Sequence, residues 1–312
     1  NGNNDYLLQR FMEAAEGHGA LTRTLWVDRM DIRPCKEFTT CEKKGFCPID
    51  DAMKQEVYAL IREADVIVAA TPIFFYNMTA QLKALVDRCQ TFWARKYRLK
   101  LSDPLKGTRR GYLLSVGATR GKNLFEGLQL TSKYFFDAID ARYEGSLVYR
   151  GIEGPKDLSK HPTVMDDIER AVGELLAAFS HRKKVLFLGR ENACRSQMAE
   201  AFAGHLAGDR LDVASGGRRP GPKLDPAMVA AMAAKKIDLA FLTPQSIEAA
   251  LANGPPDAVV TIGCGAEGPT VPGAVHQDWD LPDPSGQPAE TMDRVRDEIE
   301  SRVKQLIATL CG

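Results

Sequence analysis

The most informative stretch of the sequence is Lys184-Val-Leu-Phe-Leu-Gly-Arg-Glu-Asn-Ala-Cys-Arg-Ser-Gln-Met-Ala-Glu200. An apolar run of β type, Val185 to Leu188, ends at a glycine, and a helical pattern begins near Ser196. The short polar loop between them ends in Arg195. A strand, loop and helix in this order direct backbone N–H groups and a helix N-terminus towards one point, which suits a tetrahedral oxyanion. Arg195 would add a bidentate cationic partner.

This stretch resembles the anion loop of low-molecular-weight tyrosine phosphatases and thioredoxin-coupled arsenate reductases, which carry Cys-x5-Arg-Ser here. The resemblance is carried by Asn192, Arg195, Ser196 and the run Met198-Ala-Glu200. Gly189 stands where that family places its attacking cysteine, so the covalent thiolate chemistry has no nucleophile at this position. The resemblance therefore implies an oxyanion-binding loop that has lost its covalent step. Its expected binding residues are Arg190, Asn192, Ala193, Cys194, Arg195 and Ser196.

Two residues are candidates for catalysis in this half of the chain. Cys194 is adjacent to the loop arginine, and Asp283 resembles the general acid of the arsenate reductases. Cys264 matches the first resolving cysteine of those enzymes, whereas Gly268 occupies the place of the second. Two readings stay open: a working arsenate reductase that uses Cys194, or cysteines that are only small buried residues.

Composition limits the classes of partner. The 312 residues are 44% hydrophobic and 26% charged, which is typical of globular protein and, at this length, of two domains. Because 41 basic residues balance 41 acidic ones, we expect neither a nucleic-acid nor a membrane partner. No apolar run approaches membrane length, and the N-terminus has no signal-peptide layout. Seven cysteines without framework spacing indicate thiols in a reducing compartment, so we expect a cytoplasmic protein.

Apolar strands alternate with amphipathic helices along the whole chain. Asp65 to Ala70 is typical of a central parallel strand, and Leu21 to Asp28 is predicted as another strand. The sequence predicts two doubly wound parallel-sheet α/β domains, flavodoxin-like over residues 1–182 and low-molecular-weight-phosphatase-like over 183–312. The printed sequence opens in a polar loop followed by a helix, so we expect the first strand of the flavodoxin-like domain to be missing from it.

Three loops of the first half resemble those that hold the flavin in flavodoxin-like NAD(P)H-dependent FMN reductases. They are residues 1–4, the aromatic loop 71–78 at a strand C-terminus, and the small-residue loop 117–121. The resemblance implies FMN, NAD(P)H as electron donor, and a homodimer or homotetramer. The alternative is that the aromatic residues only pack in a core or an interface. The expected FMN-binding residues are Gly2, Asn3, Asn4, Pro72, Ile73, Phe74, Phe75, Asn77, Met78, Gly117, Ala118 and Thr119.

A cysteine-bearing loop resembles the cluster loop of the iron–sulfur flavoproteins in the same superfamily. Cys35, Cys41 and Cys47 match three of its four cysteines, and Phe38 stands in place of the other. Since iron–sulfur sites normally use four protein ligands, we expect no cluster here. Three cysteines without a nearby histidine give no better support for zinc.

The leading hypothesis is an FMN-dependent NAD(P)H oxidoreductase fused to a degenerate arsenate-reductase-like domain that binds an oxyanion. Its electrons would go to a small-molecule acceptor, and its role would be in arsenic or redox detoxification. The competing hypothesis is a non-catalytic sensor or binding protein for phosphate or arsenate. Steady NAD(P)H oxidation would separate an enzyme from a sensor.

Overall fold

The computed structural model describes residues 2–252, 254–263 and 271–312. The chain divides into two compact units, Asn1–Leu99 with Gly107–Ala178, and Lys100–Lys106 with Phe179–Gly312. The short segment 100–106 belongs to the second unit because the backbone of Ser102 bonds to the backbone of Lys236 and Asp238, at 2.7 and 2.8 Å. The sequence-based division places this segment in the first domain.

The first unit contains a parallel sheet of order β1-β2-β3 in the described residues. Its strands are β1 (Val66–Pro72), β2 (Arg110–Gly117) and β3 (Arg142–Arg150). β2 lies in the middle, and Leu113 and Leu114, which face opposite sides of the sheet, are both fully buried. A strand covered on both faces reads as a continuous apolar run, which is why its position is predictable from sequence.

Helices cover both faces of this sheet. On one face, Leu7 and Phe11 of the first helix pack with the last helix of the unit. On the other face, the ring of Phe136 lies against Gly111, where a Cβ atom would be only 2.3 Å from that ring. The helices of the unit are α1 (Asn3–Gly17), α2 (Thr40–Lys44), α3 (Tyr58–Glu63, preceded by a π-helical turn at Met53–Val57), α4 (Ala80–Arg88), α5 (Gln90–Tyr97), α6 (Glu126–Ala138) and α7 (Val164–Ala177).

The predicted strand Leu21–Asp28 is wrong. This segment is irregular and leads into the 3-10 turn Val27–Arg29. Leu21 is 71% exposed, and Arg23 forms a surface ion pair with Glu56. β propensity reflects how well a side chain packs on a sheet, and Leu21 packs on none, so the β propensity of this segment does not produce a strand.

The second unit contains a parallel sheet of order β5-β4-β6-β7. Its strands are β4 (Lys183–Gly189), β5 (Leu211–Gly217), β6 (Ala258–Ile262) and β7 (Val275–Trp279). From β4 the chain first adds a strand on one side and then adds strands on the other side. The direction of winding therefore reverses at β4, and open α/β sheets bind ligands at the carboxyl end of such a strand.

Helices pack around this second sheet over one large apolar core. α11 lies against α8, and its buried residues Val295, Ile299, Val303 and Leu306 recur at helical spacing. The predicted fold class, two parallel-sheet α/β domains, is confirmed. No helix in residues 2–252, 254–263 and 271–312 is both long and apolar enough to cross a membrane. The helices of the unit are α8 (Arg195–Ala207), α9 (Pro226–Ala234), α10 (Ile247–Ala250) and α11 (Ala289–Cys311).

Candidate functional site

The loop between β4 and α8, residues 190–194, lies at the carboxyl end of the strand where the winding reverses. Four backbone N–H groups from residues 218–225 donate to carbonyl oxygens of residues 189–193 at 2.8 to 3.4 Å. These bonds occupy the carbonyl groups of the loop. In the described ranges, no backbone N–H of residues 190–195 donates a hydrogen bond. The loop thus presents backbone donors, while the carbonyl oxygens of Gly189, Arg190, Glu191 and Ala193 accept bonds from the neighbouring turn, an arrangement that suits an anion site.

Asn192 holds this loop in shape. Its side chain is 1% exposed, and its amide nitrogen donates to the hydroxyl groups of Ser215 at 2.6 Å and Ser196 at 3.1 Å. Its amide oxygen accepts from the Gln197 side chain at 3.0 Å and from the Gln245 backbone at 2.9 Å. Every hydrogen-bonding position of the amide is used, so the Asn192 side chain positions the loop and only its backbone is left for a ligand.

Gly189 leaves space where a side chain would enter the loop. A Cβ atom built on it would lie 3.0 Å from the hydroxyl oxygen of Ser196 and 4.0 Å from the backbone nitrogen of Asn192. A thiol at this position would therefore lie among the loop donors. Glycine supplies no nucleophile.

Arg195 is fixed beside the loop and is 12% exposed. Its Nη1 donates to the carbonyl oxygen of Leu281 at 2.6 Å, and its Nη2 lies 3.4 Å from Oδ2 of Asp283. Gly263 permits this position, since a Cβ atom there would lie 2.2 Å from Nη1. The structure thus brings Asp283, the candidate acid, next to the loop arginine.

Cys194 does not have the environment of a nucleophile. It is 9% exposed, and its sulfur lies 4.0 Å from the sulfur of Met292. Burial, with a smaller contribution from Asp225, raises the pKa of its thiol to about 12. A thiol with that pKa is protonated at neutral pH, which argues against Cys194 as the attacking group. The candidate positions Cys264 and Gly268 lie outside the described residues.

The aromatic loop of the first unit forms a minimal hairpin. Phe74 and Asn77 exchange two backbone hydrogen bonds of 2.9 Å, and Phe75 and Tyr76 between them both have positive φ, 48° and 63°. This is a type I′ turn, which normally takes Asn and Gly. Each aromatic residue held in the left-handed region costs roughly 1 kcal/mol or more, and Phe75 is fully exposed. Packing within the unit does not account for a strained and exposed aromatic turn.

Two of the three predicted FMN loops lie against each other. A Cβ atom on Gly117 would lie 2.7 Å from the Ile73 side chain, and one on Gly121 would lie 2.6 Å from the Tyr76 hydroxyl. The Asn77 side chain donates to Thr131 on α6 at 3.2 Å and accepts from the next backbone N–H. Around this contact, Met78 is buried, Pro72 and Ile73 are partly buried, and Ala118 and Thr119 are exposed.

The third loop reaches the same end of the sheet through Asn4, whose side-chain oxygen accepts from the Val116 backbone at 2.9 Å. The Asn3 side chain donates to the Gly154 carbonyl at 2.9 Å. Both amides are thus engaged within the unit. The helix N-cap is Gly2, and no side chain caps the first turn of α1. Its backbone N–H groups suit the phosphate of FMN, so the residues present fit the predicted cofactor.

The cysteine loop shows partial clustering of thiols. Burial, together with the neighbouring Cys47 and Cys35, raises the pKa of the Cys41 thiol. Cys35 and Phe38 are exposed. Across the described ranges, no set of three or more His, Cys, Asp or Glu side chains is arranged to hold a metal ion. The prediction that no cluster binds here remains a prediction.

Sequence reasoning missed the residues that support both sites. Ser215 and Gln245 fix Asn192, and Ser215 also donates to Glu200 at 2.5 Å. Ser215 lies on β5, and its contact with Asn192, like that of Gln245, joins residues that are distant in sequence. A buried ion pair between Arg88 and Asp51 secures the cysteine loop to α4, and no local pattern indicates it.

Comparison with known proteins supports both resemblances. Residues 184–311 match the family model for low molecular weight phosphotyrosine protein phosphatase, and residues 1–128 match that for NADPH-dependent FMN reductase. The second half is 36% identical over 130 residues to a glutaredoxin arsenate reductase of Synechocystis sp., covering 41% of this chain and 98% of that protein. A solved structure titled "An arsenate reductase in the phosphate binding state" is 36% identical, with a TM-score of 0.37, covering 41% of this chain and 98% of that one.

The first half is 37% identical over 109 residues to an iron-sulfur flavoprotein of Methanosarcina thermophila. That match covers 35% of this chain and 53% of the relative, so the chain spans about half the length of that protein. The chain therefore belongs, through residues 184–311, to the low molecular weight phosphotyrosine protein phosphatase family, with arsenate reductases among its relatives, and its residues 1–128 match the model for NADPH-dependent FMN reductase.

Proposed function

We propose that this protein is an FMN-dependent NAD(P)H oxidoreductase whose second unit binds an oxyanion without covalent chemistry. The observation that carries the first part is the meeting of three loops at the carboxyl ends of β1 and β2. The observation that carries the second part is an intact anion loop around Gly189.

In the first unit, the aromatic turn Phe74–Asn77 would cover the flavin ring, and the first turn of α1 would bind the phosphate. When bound, FMN accepts a hydride from the nicotinamide, and the protein supplies position and environment. The hydrogen bond from Asn77 to Thr131 keeps the turn in place. Gly117 lies so close to Ile73 that no side chain fits between the two loops. The backbone strain of the turn is then maintained for cofactor contact.

In the second unit, the loop N–H groups and Arg195 would hold a tetrahedral oxyanion such as phosphate or arsenate. No thiolate occupies position 189, so the anion is bound and is not attacked. Asp283 is held at Arg195 and would have to share that arginine with the ligand. The bound anion would therefore take the place of the Asp283 carboxylate in part of its ion pair with Arg195.

We also propose the setting in which the protein works. The acceptor is a quinone, a free flavin or an oxyanion species. The free thiols among the described cysteines support a reducing compartment, the cytoplasm. Exposed aromatic and aliphatic side chains on and beside the flavin loop, among them Phe75, Leu130 and Tyr134, support a homodimer or homotetramer. NADH and NADPH are both proposed donors.

The second candidate function is a non-catalytic sensor of phosphate or arsenate. It is favoured by the missing nucleophile at Gly189 together with the protonated thiol of Cys194. In that case the flavin region would serve assembly or report redox state, and NAD(P)H would not be consumed steadily.

The experiment is an anaerobic visible spectrum of the protein mixed with FMN, before and after NADPH, with and without arsenate. Shifted flavin bands that bleach with NADPH are expected for the oxidoreductase. A change in the bleaching rate with arsenate would link the two activities. Flavin bands identical to those of free FMN, unchanged by NADPH, would contradict the oxidoreductase proposal and leave the sensor.

A further inference from the structure

We propose that the anion loop takes one phosphate of a ligand that carries a second, directly linked phosphate, which Arg190, Arg218 and Arg219 bind. The proposal rests on the oxyanion site proposed above and specifies its ligand class. That class is the linear diphosphates, either inorganic pyrophosphate or the diphosphate of a nucleotide. The three arginines are here called the arginine rim.

Backbone contacts place the arginine rim at the edge of the anion loop. The backbone nitrogen of Arg218 donates to the carbonyl of Gly189 at 3.4 Å, and that of Arg219 donates to the carbonyl of Arg190 at 2.9 Å. All three arginines are exposed. The turn that follows is Pro220-Gly-Pro222, and Gly221 donates to the loop carbonyl of Glu191 at 2.8 Å. Two prolines and the backbone bonds hold the backbone of the rim in one place, so binding has to order only the arginine side chains.

The acidic residues nearby are mostly committed to other partners. Asp225 caps α9 by accepting from the Ala227 and Met228 backbone at 2.8 and 3.3 Å. Asp283 pairs with Arg195 and accepts from a backbone N–H. Glu191, within the anion loop, is an exposed carboxylate of opposite charge to the rim. Since the whole chain has no net charge, this local excess of positive charge is not a consequence of composition.

The chemistry of the rim matches a second phosphate better than a single one. Arginine forms bidentate pairs with phosphate oxygens, and the loop with Arg195 already offers enough donors for one tetrahedral group. A thiolate at position 189 would add negative charge beside the ligand, and glycine does not. The site can therefore accept a ligand with more negative charge than a monophosphate carries.

The test is calorimetric titration of the full chain with pyrophosphate, ADP and phosphate at fixed ionic strength. We expect pyrophosphate or ADP to bind at least about tenfold more tightly than phosphate, the equivalent of one added charge-assisted hydrogen bond. The double substitution Arg218→Ala with Arg219→Ala should remove that difference and change phosphate affinity by less than about threefold. Arg210→Ala is the matched control, because Arg210 is an exposed arginine at the amino end of β5 and should leave all affinities unchanged.

The outcomes separate this inference from the proposed function. Phosphate that binds as tightly as pyrophosphate and ADP would overturn the diphosphate proposal and leave the oxyanion site standing. An equal loss for phosphate and pyrophosphate in the double variant would also overturn it. If none of the three ligands gives binding heat, the proposed oxyanion function itself fails. As a second variant, Glu191→Gln should tighten pyrophosphate binding more than phosphate binding, because it removes a negative charge that repels the ligand.

Discussion

The hydroxyl oxygen of Ser196 lies 3.0 Å from where a Cβ atom on Gly189 would be. Position 189 thus faces the loop interior, and the loop around it is kept in shape by the buried Asn192 network. The fold retains the elements that bind an anion and lacks the group that would attack it. Gly189 has no positive φ, so the backbone itself would accept a side chain after Ser196 moves by a few tenths of an ångström.

Gly189→Cys should therefore introduce hydrolysis of p-nitrophenyl phosphate. The new thiol would lie near Arg195 and the N-terminus of α8, which lower a thiol pKa and favour the attacking thiolate. The absorbance of released p-nitrophenolate, at about 405 nm, measures the reaction. We expect at least about tenfold more activity than in the wild type. Gly189→Ser is the matched control, since it fills the same space without a thiolate. Equal activity in wild type and Gly189→Cys would contradict this account of position 189.

Arg88→Met should strongly destabilise the first unit. Nη1 and Nη2 of Arg88 lie 2.5 and 3.1 Å from the two carboxylate oxygens of Asp51, and both side chains are fully buried. Leaving Asp51 buried without its partner costs about 3–5 kcal/mol of unfolding free energy. Lys83→Ala, which breaks an exposed pair with Asp87 on the same helix, should cost less than about 1 kcal/mol. Urea denaturation followed by circular dichroism measures both.

The same pair makes stability depend on acid pH. Burial acts to raise the pKa of Asp51, but the hydrogen bonds from Arg88 and the backbone outweigh it and hold the pKa below its usual 3.8. A lowered pKa in the folded state means that the pair stabilises the protein above pH 3.8 and loses this effect as the pH falls further. The difference between wild type and Arg88→Met should therefore narrow below that pH. A difference that is constant from pH 7 to pH 3 would show that charge is not its cause.

Much of the fold was predictable because the central strands are apolar over their whole length. β4 is buried from Val185 onwards, so its sequence pattern is continuous, and the predicted run Val185 to Leu188 lies within the observed strand. β7 was not predicted, since it is an edge strand whose residues Val275 to Asp278 are mostly exposed and polar. An edge strand is defined by its neighbour β6, and its own sequence carries little signal.

The candidate sites divide in the same way. The backbone loops follow from local sequence, because strand–loop–helix order fixes where N–H groups point. Side-chain roles depend on residues distant in sequence. Asn192 was expected to bind the anion, but Ser215 and Gln245 occupy its amide, and the capture of Arg195 by Leu281 and Asp283 is equally non-local.

Cys194 should resist alkylation in the folded protein, whereas exposed Cys35 should react. Burial first, and Asp225 second, raise the pKa of Cys194 from 9.0 to about 12. With iodoacetamide at about pH 7.5, peptide mass mapping should find label on Cys35 within minutes and on Cys194 only after unfolding. Equal labelling rates for the two cysteines would indicate a reactive thiolate at Cys194.

The same thiol makes stability depend on alkaline pH. Because the pKa of Cys194 is raised in the folded state, the contribution of this thiol to stability is complete below pH 9.0 and is lost as the pH rises towards 12.

The double substitution Phe75→Asn with Tyr76→Gly should separate turn geometry from aromatic contact. Asn-Gly is the preferred pair for a type I′ turn, so the hairpin should keep or gain stability, by about 1 kcal/mol. FMN affinity, measured by quenching of flavin fluorescence, should fall at least about tenfold if the aromatic rings contact the flavin. Unchanged affinity would mean that only the loop backbone contacts the cofactor. Trp26→Ala, which removes an exposed aromatic residue outside the three proposed FMN loops, is the control.

Calorimetric titration of arsenate into wild-type protein, with dithiothreitol in the cell, tests the central claim most directly. Binding without covalent chemistry predicts saturable heat pulses that return to the baseline, with affinity at least about tenfold weaker in Arg195→Ala and unchanged in Arg210→Ala. A sustained baseline shift in wild type would mean that arsenate is being reduced. That result, or the absence of binding heat, would contradict a loop that binds an oxyanion without attacking it.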